Sequence, residues 1–148
     1  MQLTLHADYA LRVLLYLGTH PDELVSTQTM SDAYGISKHH LVRVVQTLGE
    51  HGYVKVVPGR SGGVGLAKAP DAIRLGDVVV HAEQNLRLVE CFDMSTNTCP
   101  ITKHCGLAGV LGTALEAFIA SLNTKTLADL LQADRRRALK ATFVRLQR

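Results

Sequence analysis

The 148-residue sequence predicts a mostly α-helical fold carrying one small β wing. Three observations carry that expectation. Apolar residues recur at helical spacing over most of the chain, glycines and prolines cut the pattern into short segments, and residues 53–57 (Y-V-K-V-V) hold the β-branched run of a strand.

Residues 5–18 are apolar almost all round, broken by Asp8 and Arg12, and read as a buried helix. Pro21 and Asp22 make the next turn. Ser26 and Thr27 are N-cap candidates for a short helix with Met30, Ala33 and Tyr34 on its inner side, stopped by Gly35. Ser37 then caps a longer helix in which Leu41, Val44, Val45 and Leu48 form one buried stripe. Gly52 ends it. The strand at 53–57, the turn chemistry of P-G-R-S-G-G (58–63) and a return strand at 64–67 make a hairpin. Residues 71–84 are expected as a connecting helix with Ile73, Leu75, Val78 and Val79 apolar.

Farther along, Leu107, Val110, Leu111, Ala114, Leu115, Phe118, Ile119 and Leu122 form a helical stripe. At about 24 Å it is longer than so small a domain needs for itself. It is expected as a dimerisation helix, the alternative being an ordinary core helix. Residues 123–131 turn and start another helix. The tail beyond 132 is expected to extend it, with Ala138, Phe143 and Leu146 on one side.

Helix, short helix, glycine turn, helix and hairpin make a winged helix-turn-helix. Its exposed helix face offers cations for phosphates, Arg and Gln for base edges, and Val42 for a thymine methyl. The DNA-contact candidates are Ser37, Lys38, His39, His40, Arg43 and Gln46, with Arg60 at the wing tip for a minor groove or a phosphate. The plainer alternative is a small α/β domain with a solvated charged face. Charge favours a polyanion: the chain is +3 overall, yet residues 36–74 carry +4 and residues 133–148 carry +5.

Composition excludes other classes. At 47% hydrophobic and 20% charged, the chain has the means to bury a core. With 5% aromatic residues and no Trp, a base-stacking sheet is disfavoured. No apolar run is long enough for a membrane span and no signal-peptide layout opens the chain, so a cytoplasmic protein with no membrane partner is expected. The glycines at 59–65 precede a strand, not the helix a phosphate loop needs. There is no nucleophile elbow, H-E-x-x-H or Walker pattern. The chain is not expected to be an enzyme.

Cys91, Cys99 and Cys105 are spaced C-x7-C-x5-C. Zinc sites favour C-x2-C pairs, whereas iron–sulfur clusters take looser spacing. Three thiolates would leave one iron of a four-iron cluster to another ligand, and that exposed iron is where a diatomic molecule would attack. Three packed or solvent-facing cysteines are the alternative. His104 is a fourth-ligand candidate by proximity, or a solvated loop residue. Pro100 suits the first position of a helix, which would set Cys99 near its positive end.

Several motifs stand in one order: M-Q-L-T at the start, D-Y-A-L-R (8–12), G-I-S-K-H-H-L-V (35–42), G-R-S-G-G-V (59–64), A-I-R-L-G-D-V-V (72–79), the clustered cysteines and T-L-A-D-L-L (126–131). Together they resemble the NsrR/IscR family of iron–sulfur winged-helix repressors, over about residues 1–132 and not over the basic tail. The resemblance implies a homodimer whose long helices cross, bound to a palindromic operator in double-stranded DNA. It implies cluster ligation by Cys91, Cys99 and Cys105, with Asp8 matching the acidic residue that supplies an oxygen ligand from the other subunit. In NsrR-like members the cluster senses nitric oxide, and its nitrosylation releases DNA.

Two features depart from the family. The gap from Cys91 to Cys99 is longer than usual, and position 108 is Ala where IscR-like members carry a histidine ligand. The second argues for a 4Fe-4S cluster over a 2Fe-2S one. The organisation expected is a winged helix-turn-helix region at 1–84, a cysteine cluster loop at 85–106, the dimerisation helix and the helix after it at 107–132, and a basic tail at 133–148. Rival readings are a cluster-status or redox-sensing regulator of the same family, a cluster-free regulator sensing through thiols or an effector, an electron-transfer protein, and a protein-interaction module working through the tail.

Overall fold

The computed structural model describes residues 2–146. Met1 of the opening motif and Arg148 of the basic tail lie outside the described residues. The elements are α1 (Leu5–Thr19), α2 (Thr27–Tyr34), α3 (Lys38–Glu50), β1 (Val54–Val57), β2 (Gly63–Leu66), α4 (Leu75–Ala82), α5 (Leu107–Asn123), α6 (Leu127–Leu130) and α7 (Ala133–Leu146), with 3-10 turns at Pro70–Ala72 and Glu90–Phe92. The expected mostly helical fold with a two-stranded wing is what forms.

The core is built around α1. Ala7, Ala10, Val13 and Leu14 are wholly buried, and Tyr16 and Leu17 nearly so. Thr4 caps the helix, its hydroxyl accepting from the Ala7 N–H at 3.2 Å. The stripe Leu41, Val44, Val45 and Leu48 brings α3 onto this core as its spacing requires. Between α2 and α3, Gly35 takes φ +63, a left-handed turn that a side chain would strain. The Ser31 hydroxyl closes that turn by donating to the Ile36 carbonyl at 2.6 Å.

The wing pairs β1 with β2 antiparallel, from Val54↔Leu66 to Val57↔Gly63. Val25, in the connection from α1 to α2, joins its edge: Val25 N–H donates to Val64 O at 2.9 Å and Val64 N–H to Val25 O at 2.8 Å. A Cβ on Gly63 would stand 3.0 Å from the Leu24 and Val25 backbone. The wing is therefore fastened along the outer edge of β2, next to the turn that carries its tip.

Four expectations are corrected. Residues 71–84 are not one helix: after the 3-10 turn, Arg74 runs extended and bridges Thr126, so buried Ile73 is held by backbone pairing before α4 begins. Ser37 stands at the N-cap of α3 but makes no side-chain cap bond. No helix starts at Pro100. Residues 100–104 are turns, and α5 begins at Leu107, so Cys105, not Cys99, stands nearest a helix start. Finally, the tail does not extend α6. Thr126 and Asp129 form a capping box that defines α6 as a separate short helix, and α7 follows as a helix of its own. On α7 the residues facing the core are Leu139 and Phe143, while Ala138 and Leu146 are exposed.

Candidate DNA interface and cysteine pocket

Because Leu41, Val44, Val45 and Leu48 turn inward, the opposite face of α3 points out. Ser37, Lys38, His39, His40, Arg43 and Gln46 are all exposed, and Val42 is 48% exposed between them. The Gln46 amide donates to Glu50 Oε1 at 3.1 Å, an exposed bond that water or a base edge can replace. At the wing tip Gly59 takes φ +105, and the turn closes by Gly62 N–H donating to Gly59 O at 3.1 Å. That leaves Arg60 exposed at the apex. Among the described residues no carboxylate ion-pairs with Lys38, Arg43, Lys55 or Arg60. Their charge is not neutralised within the chain, as phosphate contacts need. Lys55, exposed on β1, was not singled out from sequence; its one signal is alternation along the strand.

Behind this face α1 touches α3 directly. His6 Nε2 lies 3.1 Å from Thr47 Oγ1, and the His40 ring stands beside Tyr9 with centroids 6.4 Å apart. Where α3 ends, His51 stacks on His81 of α4 at 4.1 Å, and Lys68 sits 4.7 Å over the Tyr53 ring. Burial first, and then Asp77, pushes the Tyr53 hydroxyl up to about 12, so it stays protonated. Burial and the facing His51 hold the His81 imidazole below its ordinary value, against the pull of Asp77.

From α4 the structure passes to α5 through a close crossing. A Cβ on Gly76 would meet Ile119 O and Asn123 Oδ1 at 2.6 Å. Asn123 fills that gap: its Oδ1 accepts from Asp77 N–H at 3.0 Å, and its Nδ2 donates to Asp77 Oδ1 at 2.8 Å.

The segment between α4 and α5 carries the thiols. Cys91, Cys99 and Cys105 are unpaired and partly exposed, and all three line one pocket of about 280 Å³ with Val89, Glu90, Ile101, Thr102, Leu107 and Ala108. Asn97 braces two of its lining residues, accepting from Cys99 N–H at 3.1 Å and donating to Thr102 Oγ1 at 2.8 Å. Thr102 in turn donates to Cys99 O at 2.9 Å. Arg87 pairs with Asp93 at 2.7 Å, whose carboxyl is held below the usual range by the Ser95 hydroxyl and N–H. The N-x-C spacing from Asn97 to Cys99 is that of an Asx turn.

Among the described residues no three His, Cys, Asp or Glu side chains stand close enough to grip one metal ion. A polynuclear cluster asks something different, one thiolate on each of several irons around a shared cavity. Three thiols lining one largely apolar pocket fit that demand. His104 is exposed and does not line the pocket. Nor does Asp8, which pairs with Arg12 at 2.6 Å and borders a separate groove of about 440 Å³ between α1, α4, α5 and α6.

Along α5 the apolar stripe is only partly covered, by α4. None of its residues is fully buried, Val110 is 67% exposed, and Leu111, Leu115, Phe118, Ile119 and Leu122 are half-buried. It is not packed as a core helix of this chain. No helix among the described residues is long and apolar enough to cross a membrane.

Comparison with known proteins gives one answer. The family model Rrf2, described as an iron-dependent transcriptional regulator, matches residues 3–133. The chain is 45% identical over 132 residues to an HTH-type transcriptional regulator NsrR of Bacillus licheniformis, covering 88% of this chain and 92% of that protein. It is 48% identical over 132 residues to the protein of the same name in Halalkalibacterium halodurans, covering 88% and 90%. Among solved structures, T. potens IscR superposes with a TM-score of 0.71 at 23% identity, over 89% of this chain and 87% of that one. CymR of B. subtilis superposes with a TM-score of 0.66 at 23% identity, over 88% and 95%.

Proposed function

The chain belongs to the Rrf2 family of transcriptional regulators, and from that premise we propose that it is a homodimeric, non-enzymatic cytoplasmic repressor. In this reading an iron–sulfur cluster of the 4Fe-4S type senses nitric oxide, and nitrosylation releases a palindromic operator. The observation that carries the reading is the single pocket lined by Cys91, Cys99 and Cys105, one helix away from an unneutralised cationic recognition face. The names of the relatives support the regulatory role, and the exposed stripe of α5 supports the dimer.

When bound in that pocket, the cluster supplies an iron with an exchangeable position open to nitric oxide. Cys91, Cys99 and Cys105 would hold it as thiolates, and Asp8 of a partner subunit would supply the carboxylate. Around the pocket, Asn97 and Thr102 fix the Cys99 backbone and the Arg87–Asp93 pair holds the loop.

The first turns of α1 then link sensing to reading. Thr4 N–H donates to Glu83 Oε1 at 2.8 Å, where α4 gives way to the cysteine segment. Asp8 lies one turn on, and His6 between them touches Thr47 of α3. Without a common anchor for Cys91, Cys99, Cys105 and the partner's Asp8, the cysteine loop and the partner's α1 would be free to move together. The recognition helix loses its backing, and the population shifts to a weak binder. In the bound state Lys38, His39, Arg43 and Gln46 face the major groove, with Ser37 and His40 beside them, and Arg60 meets the flanking minor groove or backbone.

The test is an anaerobic visible spectrum followed through titration with nitric oxide, with operator binding measured on the same samples. An iron–sulfur band that collapses together with DNA affinity supports the reading. A band unmoved by nitric oxide turns it toward redox or cluster-status sensing. A colourless protein that resists reconstitution with iron and sulfide removes the cluster.

A further inference from the structure

We propose that α7 is a second DNA-contacting element, one that lays cations on the sugar–phosphate backbone beside the helix-turn-helix and reads no sequence. The inference rests on the DNA-binding reading above and extends it to a helix that lies, but for Ala133, outside the residues matched by the family.

Attachment comes first. Phe143 is 4% exposed, with its ring 4.6 Å from Tyr16 of α1 and 5.3 Å from Tyr34 of α2. Leu139 packs one turn earlier, and Lys140 reaches Glu23, in the connection from α1 to α2, at 3.6 Å. The helix is thus seated on the reading unit and does not trail from it. Groups ordered by folding cost little further entropy when a partner arrives.

Charge comes second. Within α7 stand Arg135, Arg136, Arg137, Lys140 and Arg145 against Asp134 alone. Arg137 pairs with Asp134 at 3.3 Å and Lys140 with Glu23, both at exposed positions where such pairs contribute little. Among the described residues Arg135, Arg136 and Arg145 have no carboxylate partner. Arg136, Arg137 and Lys140 share one open face with Ala133, Ala141 and Val144. With Val144 its only large apolar side chain, that face lacks the aromatic or aliphatic anchors of a protein interface. It suits a polyanion.

Placement decides which polyanion. When a helix-turn-helix docks, the recognition helix enters the major groove and the helix before it crosses the backbone. Here that crossing helix is α2, and α7 packs against it. Cations carried by α7 extend the protein along the duplex, where phosphates are the ligand within reach.

The measurement is the salt dependence of binding by the intact protein to an operator duplex and to a scrambled duplex of equal length. Wild type is compared with the triple variant Arg136→Gln, Arg137→Gln, Lys140→Gln, and with the double variant Arg137→Gln, Lys140→Gln, which leaves half-buried Arg136 in place. Far-ultraviolet circular dichroism and melting confirm that each variant is folded. The triple variant is expected to bind both duplexes at least about tenfold more weakly at ~50 mM salt, with the slope of log K against log [salt] shallower by about 2 to 3 per protomer. Operator preference should be unchanged, because phosphate contacts carry no sequence information. Unchanged affinity and slope in folded variants would overturn the proposal and assign the cations to another acidic partner. Loss confined to the operator duplex would overturn it too. Failure of wild type to bind either duplex would instead overturn the DNA-binding reading beneath it.

Discussion

Tyr53 Oη lies 2.8 Å from His81 Nδ1, joining the residue before β1 to the helix that leads to the cysteine segment. His81 also stacks on His51 at the end of α3, so three segments meet at one imidazole. With Tyr53 protonated and His81 neutral, the hydroxyl donates to Nδ1. Protonating His81 removes that acceptor and sets a cation against His51 and Lys68.

Acidification is therefore expected to loosen this joint. The His81 value is lowered from 6.5 in the folded chain, so below that pH the unfolded chain binds more protons and stability falls as pH falls. Melting followed between about pH 7.5 and pH 5.5 should show a larger drop in wild type than in His81→Asn. Equal drops in the two proteins would mean that His81 is not the group responsible.

Gly76 and Asn123 set the distance between α4 and α5, and with it the position of the cysteine pocket relative to the reading unit. Asn123→Ala removes both bonds to Asp77 and should cost about 1–3 kcal/mol. Gly76→Val places side-chain atoms against backbone at Ile119 and should cost as much or more, since overpacking typically costs about 1–3 kcal/mol. Chemical denaturation of both variants checks the order.

Much of this fold is readable from local pattern. The stripe Leu41, Val44, Val45 and Leu48, the Ser26 cap and the Gly35 stop each act within a few residues, and each forms as the sequence suggests. The failures are tertiary. Ile73 is apolar and helix-compatible, but its carbonyl accepts from Leu127 N–H at 2.9 Å, a partner more than fifty positions away. On α7 the slot between Tyr16 and Tyr34 chooses Phe143 and so sets the helix rotation, turning Leu139 inward and Ala138 out. The cysteine site was half legible. Spacing drew the three thiols together, but the Asn97–Thr102 brace and the turns at 100–104 depend on side-chain bonds that periodicity does not encode.

Phe143→Ala tests that slot. Removing a buried phenyl ring typically costs about 3–5 kcal/mol, and here the loss should fall first on α7. Limited proteolysis is expected to clip the chain after α6 in the variant and not in wild type, with α1 to α5 remaining protected.

On the recognition face, Arg43→Ala and Gln46→Ala should each cost about 1–3 kcal/mol of operator binding where the side chain reads a base edge, and relax sequence preference at one position. Lys38→Ala or Arg60→Ala at a phosphate should weaken all duplexes alike and lower the salt slope by about 1 per contact. Selection of bound sequences from a randomised pool separates the two behaviours.

Asp8 gives the sharpest test of the proposed ligand set because its structural role is small. Among the described residues its carboxylate bonds Arg12 alone, with the Asp8 side chain 38% accessible. Exposed pairs of this spacing are worth about 0.3–0.5 kcal/mol, so Asp8→Ala should fold and melt much as wild type does. If a partner's Asp8 completes the ligand set, the reconstituted variant should lose iron faster to a chelator and show an altered visible spectrum. Cys99→Ala should fail to hold the cluster at all. A variant with wild-type colour and chelator resistance would remove Asp8 from the ligand set while leaving the three-thiol pocket standing.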